Sequence, residues 1–257
     1  MLRRKLAASS TVPPGFIETL DAVADVHGWT THAQLRQLWE CASEVPEGGR
    51  IVEIGSFHGR SAIVLAHGAR PSVEVVAIDP HAGNDRGPGE IRGSSAQGDR
   101  DHEVFVANLE RFGVKDRVRY VRRASQESGL EVKGSIDLLY IDGAHRFAPA
   151  RADIRDWGRR VSDGGRMLIH DSFSSVGVTG AIATELLGNR RFHYVGRTGS
   201  LAEYRCGTRG SRVRSTAHQL AQLPWFIRNV LVKALMIVHL HPLTRLLGHR
   251  SNRLPPF

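Results

Sequence analysis

Cysteine, long apolar runs and acidic residues near the C-terminal end are scarce in this sequence of 257 residues. Its two cysteines, Cys41 and Cys206, exclude a disulfide framework, stand in no metal-ligand spacing and suit a reducing, cytoplasmic setting. No stretch of about 18 apolar residues is free of charge, so the sequence predicts no membrane-spanning helix. The apolar residues that follow the basic start are too few for a signal peptide.

Acidic side chains are missing altogether after Glu203, whereas nine arginine or lysine residues follow it. These nine charges account for the whole net charge of +9, so residues 1–204 are neutral in sum. A nucleic-acid enzyme is expected to carry its basic excess around the catalytic body. The sequence therefore predicts no nucleic-acid partner, and it predicts a basic C-terminal extension, residues 206–257.

Two common phosphate-binding patterns are absent, namely Gly-x-Gly-x-x-Gly and a loop that ends in Gly-Lys-Ser/Thr. The sequence has instead Glu53-Ile54-Gly55-Ser56-Phe57-His58-Gly59-Arg60-Ser61, which runs from a predicted strand into a predicted helix. Gly55 can turn sharply as the strand ends, and Gly59 lets the backbone approach a ligand. The free amides of the following helix would face the crevice at the carboxyl end of the strand.

Short apolar runs alternate with helical segments between residues 31 and 205, which predicts a mostly parallel sheet with helices on both faces. The last two predicted strands are separated only by Gly196–Ser200, which indicates a hairpin and one antiparallel strand. Residues 1–30 are an N-terminal arm and helix, and residues 83–100 form a long loop after the second strand. The predicted strands are Arg50–Ile54, Val73–Ile78, Val118–Val121, Ile136–Ile141, Arg166–Ile169, Phe192–Val195 and Leu201–Tyr204. The predicted helices are Phe16–Val26, one capped by Thr31, Arg60–His67, Asp101–Arg111, Pro149–Val161 and Thr179–Leu187.

An acidic residue, Asp79, ends the second predicted strand. A carboxylate at this place is positioned to accept hydrogen bonds from two ribose hydroxyls. Ser125 and Gln126 follow the third strand, where an adenine amine would be met. Together with the glycine loop, these residues predict a nucleoside-binding crevice.

Chemically active side chains follow the fourth and fifth predicted strands, in Ile141-Asp142-Gly143-Ala144-His145 and His170-Asp171. Adjacent parallel strands place their carboxyl ends side by side, so Asp142, His170 and Asp171 should converge. Such a ligand set suits Mg²⁺ or Mn²⁺. His145 is the candidate general base beside Asp142.

Two neighbouring residues have less specific expectations. Asp153, eight residues after His145, would either orient that imidazole or be solvated. Trp157 and the loop 83–100 are candidates for shaping an acceptor site.

These motifs in this order resemble the class I S-adenosylmethionine-dependent methyltransferases, and most closely the small O-methyltransferases with Ile-Asp-Gly-x-His and His-Asp motifs, which include enzymes acting on sugars and natural products. The resemblance covers about residues 30–205. It implies a Rossmann-like, doubly wound α/β fold of seven strands whose final strand is antiparallel. It also implies cofactor contacts by Asp142 and by the following residues: Glu53, Gly55, Ser56, Gly59, Ser61, Asp79, Ser125 and Gln126. His170 stands where related enzymes often have an acidic residue, which weakens the expectation of a metal.

The acidity of the acceptor decides whether a metal is needed. The pKa of an imidazole, about 6.5, lies about nine units below that of an aliphatic hydroxyl, which amounts to about 12 kcal/mol. A general base contributes only about 3–5 kcal/mol, whereas a cation lowers the pKa of bound water by about nine units. A sugar hydroxyl would therefore require a metal, and a phenol near pKa 10 would need far less help.

Three functional hypotheses follow. The first is a metal-assisted O-methyltransferase acting on a small molecule, glycan or glycolipid. The second is a metal-free enzyme for phenolic or natural-product acceptors, and the third is a non-catalytic scaffold that retained the cofactor fold. A nucleic-acid methyltransferase would show an Asn/Asp-Pro-Pro-aromatic motif after the fourth strand, which is absent here.

Apolar residues recur at helical spacing through residues 217–240 of the extension. Such a helix either packs on the domain, forms the seam of a homo-oligomer, or lies in a membrane interface. The absence of acidic residues is what favours an anionic lipid surface, which would place the protein at the inner face of a membrane.

Overall fold

The computed structural model describes residues 15–83, 93–207 and 210–249, and it forms one seven-stranded sheet in the order β3-β2-β1-β4-β5-β7-β6. β7 runs antiparallel to both β5 and β6, and the remaining pairs are parallel. This is the predicted fold class. The strands are β1 (Arg50–Ile54), β2 (Glu74–Ile78), β3 (Val118–Val121), β4 (Ile136–Ile141), β5 (Val161–Ile169), β6 (Phe192–Thr198) and β7 (Leu201–Cys206).

β5 begins five residues before its predicted start, because the turn expected at 162–165 is absorbed into the strand. Its pairing with β4 shifts register between Ile136 and Leu138, which face Val161 and Arg166. Gly164 has a φ of 80°, so glycine supplies the left-handed backbone that such a bulge needs.

The helices are α1 (Phe16–Ala22), α2 (His32–Ser43), α3 (Arg60–Gly68), α4 (Ser95–Arg111), α5 (Phe147–Gly158), α6 (Val176–Glu185), α7 (Arg212–Leu220), α8 (Leu223–Ile237) and α9 (His241–Leu246). Thr31 caps α2 as predicted, in a capping box with Gln34.

The prediction of a loop over 83–100 was wrong for residues 95–100, because α4 begins at Ser95. Gly98 allows this start. A Cβ at Gly98 would lie 1.9 Å from the carbonyl oxygen of His81, so only glycine lets the first turn of α4 pack against that backbone. The predicted loop residues 84–92 lie outside the described residues.

Two apolar layers cover the sheet. One joins the sheet to α2, α3 and α4, with Leu38, Ile63 and Phe105 among its buried side chains. The other joins it to α5 and α6, with Ile154 and Ile182. Successive strand residues point alternately into the two layers. The layers cover the faces of the sheet and not the carboxyl ends of its strands.

The C-terminal extension is not the single helix that the apolar spacing predicted. It breaks at residues 221–222, just before Pro224, which stands in the first turn of α8. Proline is tolerated there because a first-turn residue has no intrahelical partner for its N–H, but it cannot continue a preceding helix. Among the described residues, Arg212–Ile237 is one segment that could cross a membrane by length and composition, and 11% of its most apolar window is buried.

Candidate active site

A cavity of about 440 Å³ opens at the carboxyl ends of β1, β2, β4 and β5. Its size lies within the range of small-molecule sites, and the edge is where open α/β sheets bind their ligands. Gly55, Ser56, Ser61 and Asp79 of the predicted set line it at the glycine loop. The other predicted lining residues are Ser125, Gln126, Asp142, His145, His170 and Asp171.

Position 55 requires glycine because the backbone of Asp142 passes close to it, whether or not a ligand is bound. Its φ is 87°, and a Cβ there would lie 2.2 Å from the carbonyl oxygen of Asp142. Gly59 has a φ of 85° and precedes α3, and a Cβ there would meet the Phe105 ring at 3.2 Å. Gly59 does not border the cavity. The structure therefore supports a packing role for Gly59 against Phe105.

Glu53 is also placed behind the cavity wall and not on it. Complete burial raises the pKa of Glu53 to about 8, while the hydroxyls of Ser61 and Ser56 act in the opposite direction. Those two serines do border the cavity. A direct cofactor contact by Glu53 therefore stays a prediction, and the structure supports an indirect role beneath the loop.

Asp79 holds the glycine loop through its carboxylate. Oδ2 accepts hydrogen bonds from the amides of Ser56 and Phe57 at 2.9 and 2.8 Å, and Oδ1 accepts one from the amide of His81 at 2.8 Å. A carboxylate has about four acceptor positions. The ribose contact predicted for Asp79 would therefore add to an established structural role.

Ser125 and Gln126 are anchored by Asp153, which the sequence had placed near His145. The Ser125 hydroxyl and the Gln126 amide, at 3.0 Å, both donate to Asp153 Oδ1. Burial raises the pKa of Asp153 to about 6, although the Ser125 hydroxyl opposes this. Both alternatives for Asp153 were wrong: its carboxylate holds Ser125 and Gln126 instead of His145, and its side chain is buried in the cavity wall.

Trp157 supports the same segment. Its indole nitrogen donates to the Ser125 carbonyl at 3.3 Å, and the side chain is buried outside the cavity wall. The suggestion that Trp157 shapes an acceptor site was wrong, because the ring faces the core from α5. Gly83 and Asp101, at the two ends of the predicted loop region, do line the cavity.

Asp142 and His170 meet at the ends of β4 and β5, as the strand order predicts. His170 Nδ1 lies 3.0 Å from Asp142 Oδ1, and the Tyr140 hydroxyl donates to Asp142 Oδ2 at 2.8 Å. Burial disfavours a charged His170, but the charges of Asp142 and Asp171 raise its pKa to about 9. The two carboxylates therefore favour the protonated form of His170.

Asp171 orients His145. Its Oδ2 lies 2.7 Å from His145 Nε2. Burial opposes protonation of His145, but the hydrogen bond to Asp171 and its charge raise the pKa of the imidazole above the ordinary value. Burial likewise acts against the charge of Asp171, yet His170 and His145 hold the pKa of that carboxyl well below its usual range.

Lys233 reaches the cavity from the C-terminal extension, which the sequence had assigned to a separate segment. Its ammonium donates to the carbonyl oxygen and the hydroxyl of Ser174 at 2.9 and 3.1 Å. Burial lowers the pKa of Lys233, and Asp171 acts against that shift. The end of the cavity that contains His170 and Asp171 is thus also lined by a lysine from α8.

An aromatic wall closes another side of the cavity. His27 and Trp29 precede α2, and both pack edge-on or tilted against Phe57 at centroid distances of 5.5 and 5.1 Å. The Phe57 ring stacks on His58 at 3.7 Å. Sequence reasoning missed these residues because aromatic side chains in a short connection carry no periodic signal.

The predicted metal ligands converge, but they do not fit a divalent cation. His170 Nδ1 lies between the two carboxylates, 3.0 Å from Asp142 and 3.8 Å from Asp171. A histidine ligand must be neutral, whereas the charges of Asp142 and Asp171 raise the pKa of His170 and so favour its protonated form in the metal-free site. Across residues 15–83, 93–207 and 210–249, no three His, Cys, Asp or Glu side chains form a group that could hold a metal ion.

A family model described as a methyltransferase domain matches residues 52–172. The matched segment is a little under half of the chain, and it indicates a methyltransferase enzyme. The match spans the glycine loop, Asp79, Asp142, His145 and the His170-Asp171 pair, whereas the aromatic wall residues before α2 and Lys233 lie outside it.

Solved structures share the fold of this methyltransferase domain at low sequence identity. An O-methyltransferase from Bacillus cereus in complex with S-adenosylhomocysteine is 19% identical, with a TM-score of 0.53, covering 78% of this chain and 92% of that one. A methyltransferase from Podospora anserina, PaMTH1, bound to S-adenosylhomocysteine is 17% identical, with a TM-score of 0.55 and coverages of 76% and 88%. TomG from Streptomyces achromogenes, an O-methyltransferase involved in tomaymycin synthesis and solved with S-adenosylmethionine, is 17% identical, with a TM-score of 0.50 and coverages of 75% and 89%.

Proposed function

We propose that this methyltransferase is an S-adenosylmethionine-dependent O-methyltransferase that acts on a hydroxyl of a small molecule or glycan. The observation that carries the proposal is the His145–Asp171 pair at one end of a cavity whose other end has the nucleoside-binding features Asp79, Ser125 and Gln126. An oriented imidazole beside a nucleoside site is the arrangement that hydroxyl methylation requires.

The residues of the cavity fit S-adenosylmethionine. Asp79 would meet the ribose, and the segment of Ser125 and Gln126 would meet the adenine, with Asp153 fixing both side chains. Gly55 and Ser56 would border the methionine part. When bound, this cofactor supplies an electrophilic methyl group on a sulfonium sulfur.

His145 would take the proton of the acceptor hydroxyl. Asp171 is within hydrogen-bond distance of Nε2, so it fixes that nitrogen as the N–H donor and leaves Nδ1 as the proton acceptor. The same contact raises the pKa of His145, which strengthens it as a base. The acceptor oxygen would gain the methyl group as the sulfur–methyl bond breaks, its proton would pass to His145, and S-adenosylhomocysteine would remain as the neutral thioether product.

Two cations would stabilise the anionic character that develops on the acceptor oxygen. Lys233 and protonated His170 both line the acceptor end. Nε2 of His170 is buried and has no hydrogen-bond partner within the described part of the chain. Fixed charges and donors aimed at developing charge are among the largest contributions to catalysis.

The cation set favours the metal-free version of the reaction. The charges of His170 and Lys233 act on Asp142 and Asp171 and so compete with a divalent cation for these carboxylates. Proton transfer from an aliphatic hydroxyl to an imidazole costs roughly 12 kcal/mol, and a general base without a metal offsets only a minor part of this cost. A phenolic or similarly acidic hydroxyl is therefore the favoured acceptor, and metal-assisted methylation of a sugar hydroxyl is the second candidate.

Metal removal separates the two candidates. Transfer of labelled methyl groups to phenols and to sugars would be measured before and after EDTA treatment, with Mg²⁺ added back. We expect phenol methylation that EDTA leaves unchanged. Sugar methylation that disappears with EDTA and returns with Mg²⁺ would instead establish the metal-assisted version.

A further inference from the structure

The outward face of α8 is an apolar stripe, formed by Leu223, Ile227, Leu231, Ala234 and Val238. These residues follow one another at intervals of three or four, so they lie on one side of the helix. The four large side chains are between 43% and 59% exposed. Single exposed apolar residues need no explanation, but a row of them along a helix marks a surface that contacts another apolar phase or partner.

The opposite face of α8 is bound to the domain, which fixes how the stripe is presented. Asn229 donates to the Phe173 carbonyl at 3.2 Å, and Lys233 is held by Ser174. Trp225 and Phe226 pack against the core layer formed with α5 and α6. The helix is therefore seated on the loop after β5, and its stripe faces outward.

The contacts of α8 argue against a membrane-spanning arrangement, although the longer segment Arg212–Ile237 has the length and composition for one. The helix has 15 residues, or about 22 Å, which is shorter than the roughly 30 Å of a bilayer core. Crossing would also pull Asn229 and Lys233 out of their polar contacts. A helix that lies in the plane of the interface keeps them.

The charge of the C-terminal helices indicates what covers the stripe. No acidic residue follows Glu203, and Arg212, Arg214 and Arg245 are exposed on the neighbouring helices. A two-fold contact with a second copy would place the same patch against itself, which brings like charges together without compensation. An anionic lipid surface offers both negative charge and an apolar layer.

We propose that α8, with the basic residues of α7 and α9, docks the enzyme on the surface of anionic membranes through this stripe. The apolar side chains enter the headgroup boundary, and the arginines face the lipid phosphates. The proposal does not depend on the acceptor or on the chemistry of the cavity.

Flotation of the full chain with lipid vesicles tests the proposal directly. The probes are vesicles of phosphatidylcholine alone and vesicles that also contain phosphatidylglycerol. We expect the protein to float with the anionic vesicles, less at high salt, and to float poorly with phosphatidylcholine alone. The double variant I227S/L231S should lower the bound fraction about tenfold or more.

The matched control is V104S/L130S, which changes two exposed apolar residues outside the C-terminal helices and should float like wild type. An unchanged melting temperature and S-adenosylhomocysteine affinity would show that I227S/L231S is folded. Failure of the wild type to float with anionic vesicles, or equal flotation of I227S/L231S, would overturn the proposal. A wild-type dimer in light scattering that I227S/L231S converts to a monomer would assign the stripe to a second copy instead.

Discussion

Nε2 of His145 lies 2.7 Å from Oδ2 of Asp171, so the candidate base after β4 is oriented by the carboxylate that ends the next strand of the sheet. Both residues border the cavity. The pair gives the imidazole one defined proton-accepting nitrogen, and it ties the activity of the site to the charge of Asp171.

Substitution of Asp171 by asparagine should change both the rate and its pH dependence. The base must be neutral, and Asp171 raises the pKa of His145, so the wild-type kcat/KM should rise with pH through a midpoint above the usual value of about 6.5. In D171N that midpoint should move to lower pH, and the maximal rate should fall by up to about 10⁴-fold. The control D156N removes an exposed carboxylate paired with Arg155, and an identical profile for D171N and D156N would contradict the orienting role.

Lys233 should affect the acceptor and not the cofactor. In K233M, kcat/KM for the acceptor should fall by about 10²-fold, because a cation facing the developing oxyanion is lost. Calorimetry should give an unchanged affinity for S-adenosylhomocysteine. The control K115M removes a surface lysine paired with Glu110 and should behave like wild type. Full activity of K233M would show that Lys233 has no role in the reaction.

Asp153 should affect binding of the cofactor, at the end of the cavity formed by Ser125 and Gln126. In D153L, Ser125 and Gln126 lose their shared acceptor, so the KM for S-adenosylmethionine should rise about tenfold or more while kcat changes little. D153N retains an acceptor oxygen and should rescue most of the loss. A fall in kcat with an unchanged KM would place Asp153 in the chemistry instead.

Ionisation of buried Glu53 should lower the free energy of unfolding as the pH rises. Its pKa is near 4.5 when unfolded and about 8 when folded, so the folded state binds more protons between these values and the free energy of unfolding declines across that window. Between about pH 5 and pH 7.5 the decline from this group is about 3 kcal/mol at 1.36 kcal/mol per unit. Urea unfolding should show a decline in E53Q that is smaller by this amount than the decline in wild type and in the surface control E47Q, because Asp153 and His170 also titrate in this window; parallel curves for all three would refute it.

The sequence was sufficient for much of the sheet because its strands are short apolar runs, of which β1 and β4 are followed directly by Gly55 and Asp142. β1, β3 and β4 have the predicted bounds. The meeting of Asp142 with His170 follows from parallel pairing alone, since Ile141 pairs with Ile169 and the next residues lie side by side. Local pattern and sheet topology together were enough to place the chemical end of the cavity.

Contacts made by packing between distant segments could not be predicted in this way. Lys233 is 59 residues from its partner Ser174, and only the seating of α8 on the loop after β5 brings them together. Asp153 could not be assigned because a helix carboxylate has no pattern that says which neighbouring loop it faces. The aromatic wall depends in the same way on how the segment before α2 folds over the glycine loop.

The most direct test of the account measures transfer of the labelled methyl group of S-adenosylmethionine to hydroxyl acceptors by wild type and by H145Q. Both proteins are assayed at saturating S-adenosylmethionine, after calorimetry has shown that they bind S-adenosylhomocysteine with the same affinity. We expect the label on an acceptor oxygen with wild type, and a rate about 10²–10⁴-fold lower with H145Q. Equal rates for the two proteins, or a cofactor-loaded wild type that labels no hydroxyl among phenols, sugars and a cell extract of glycans and lipids, would contradict it.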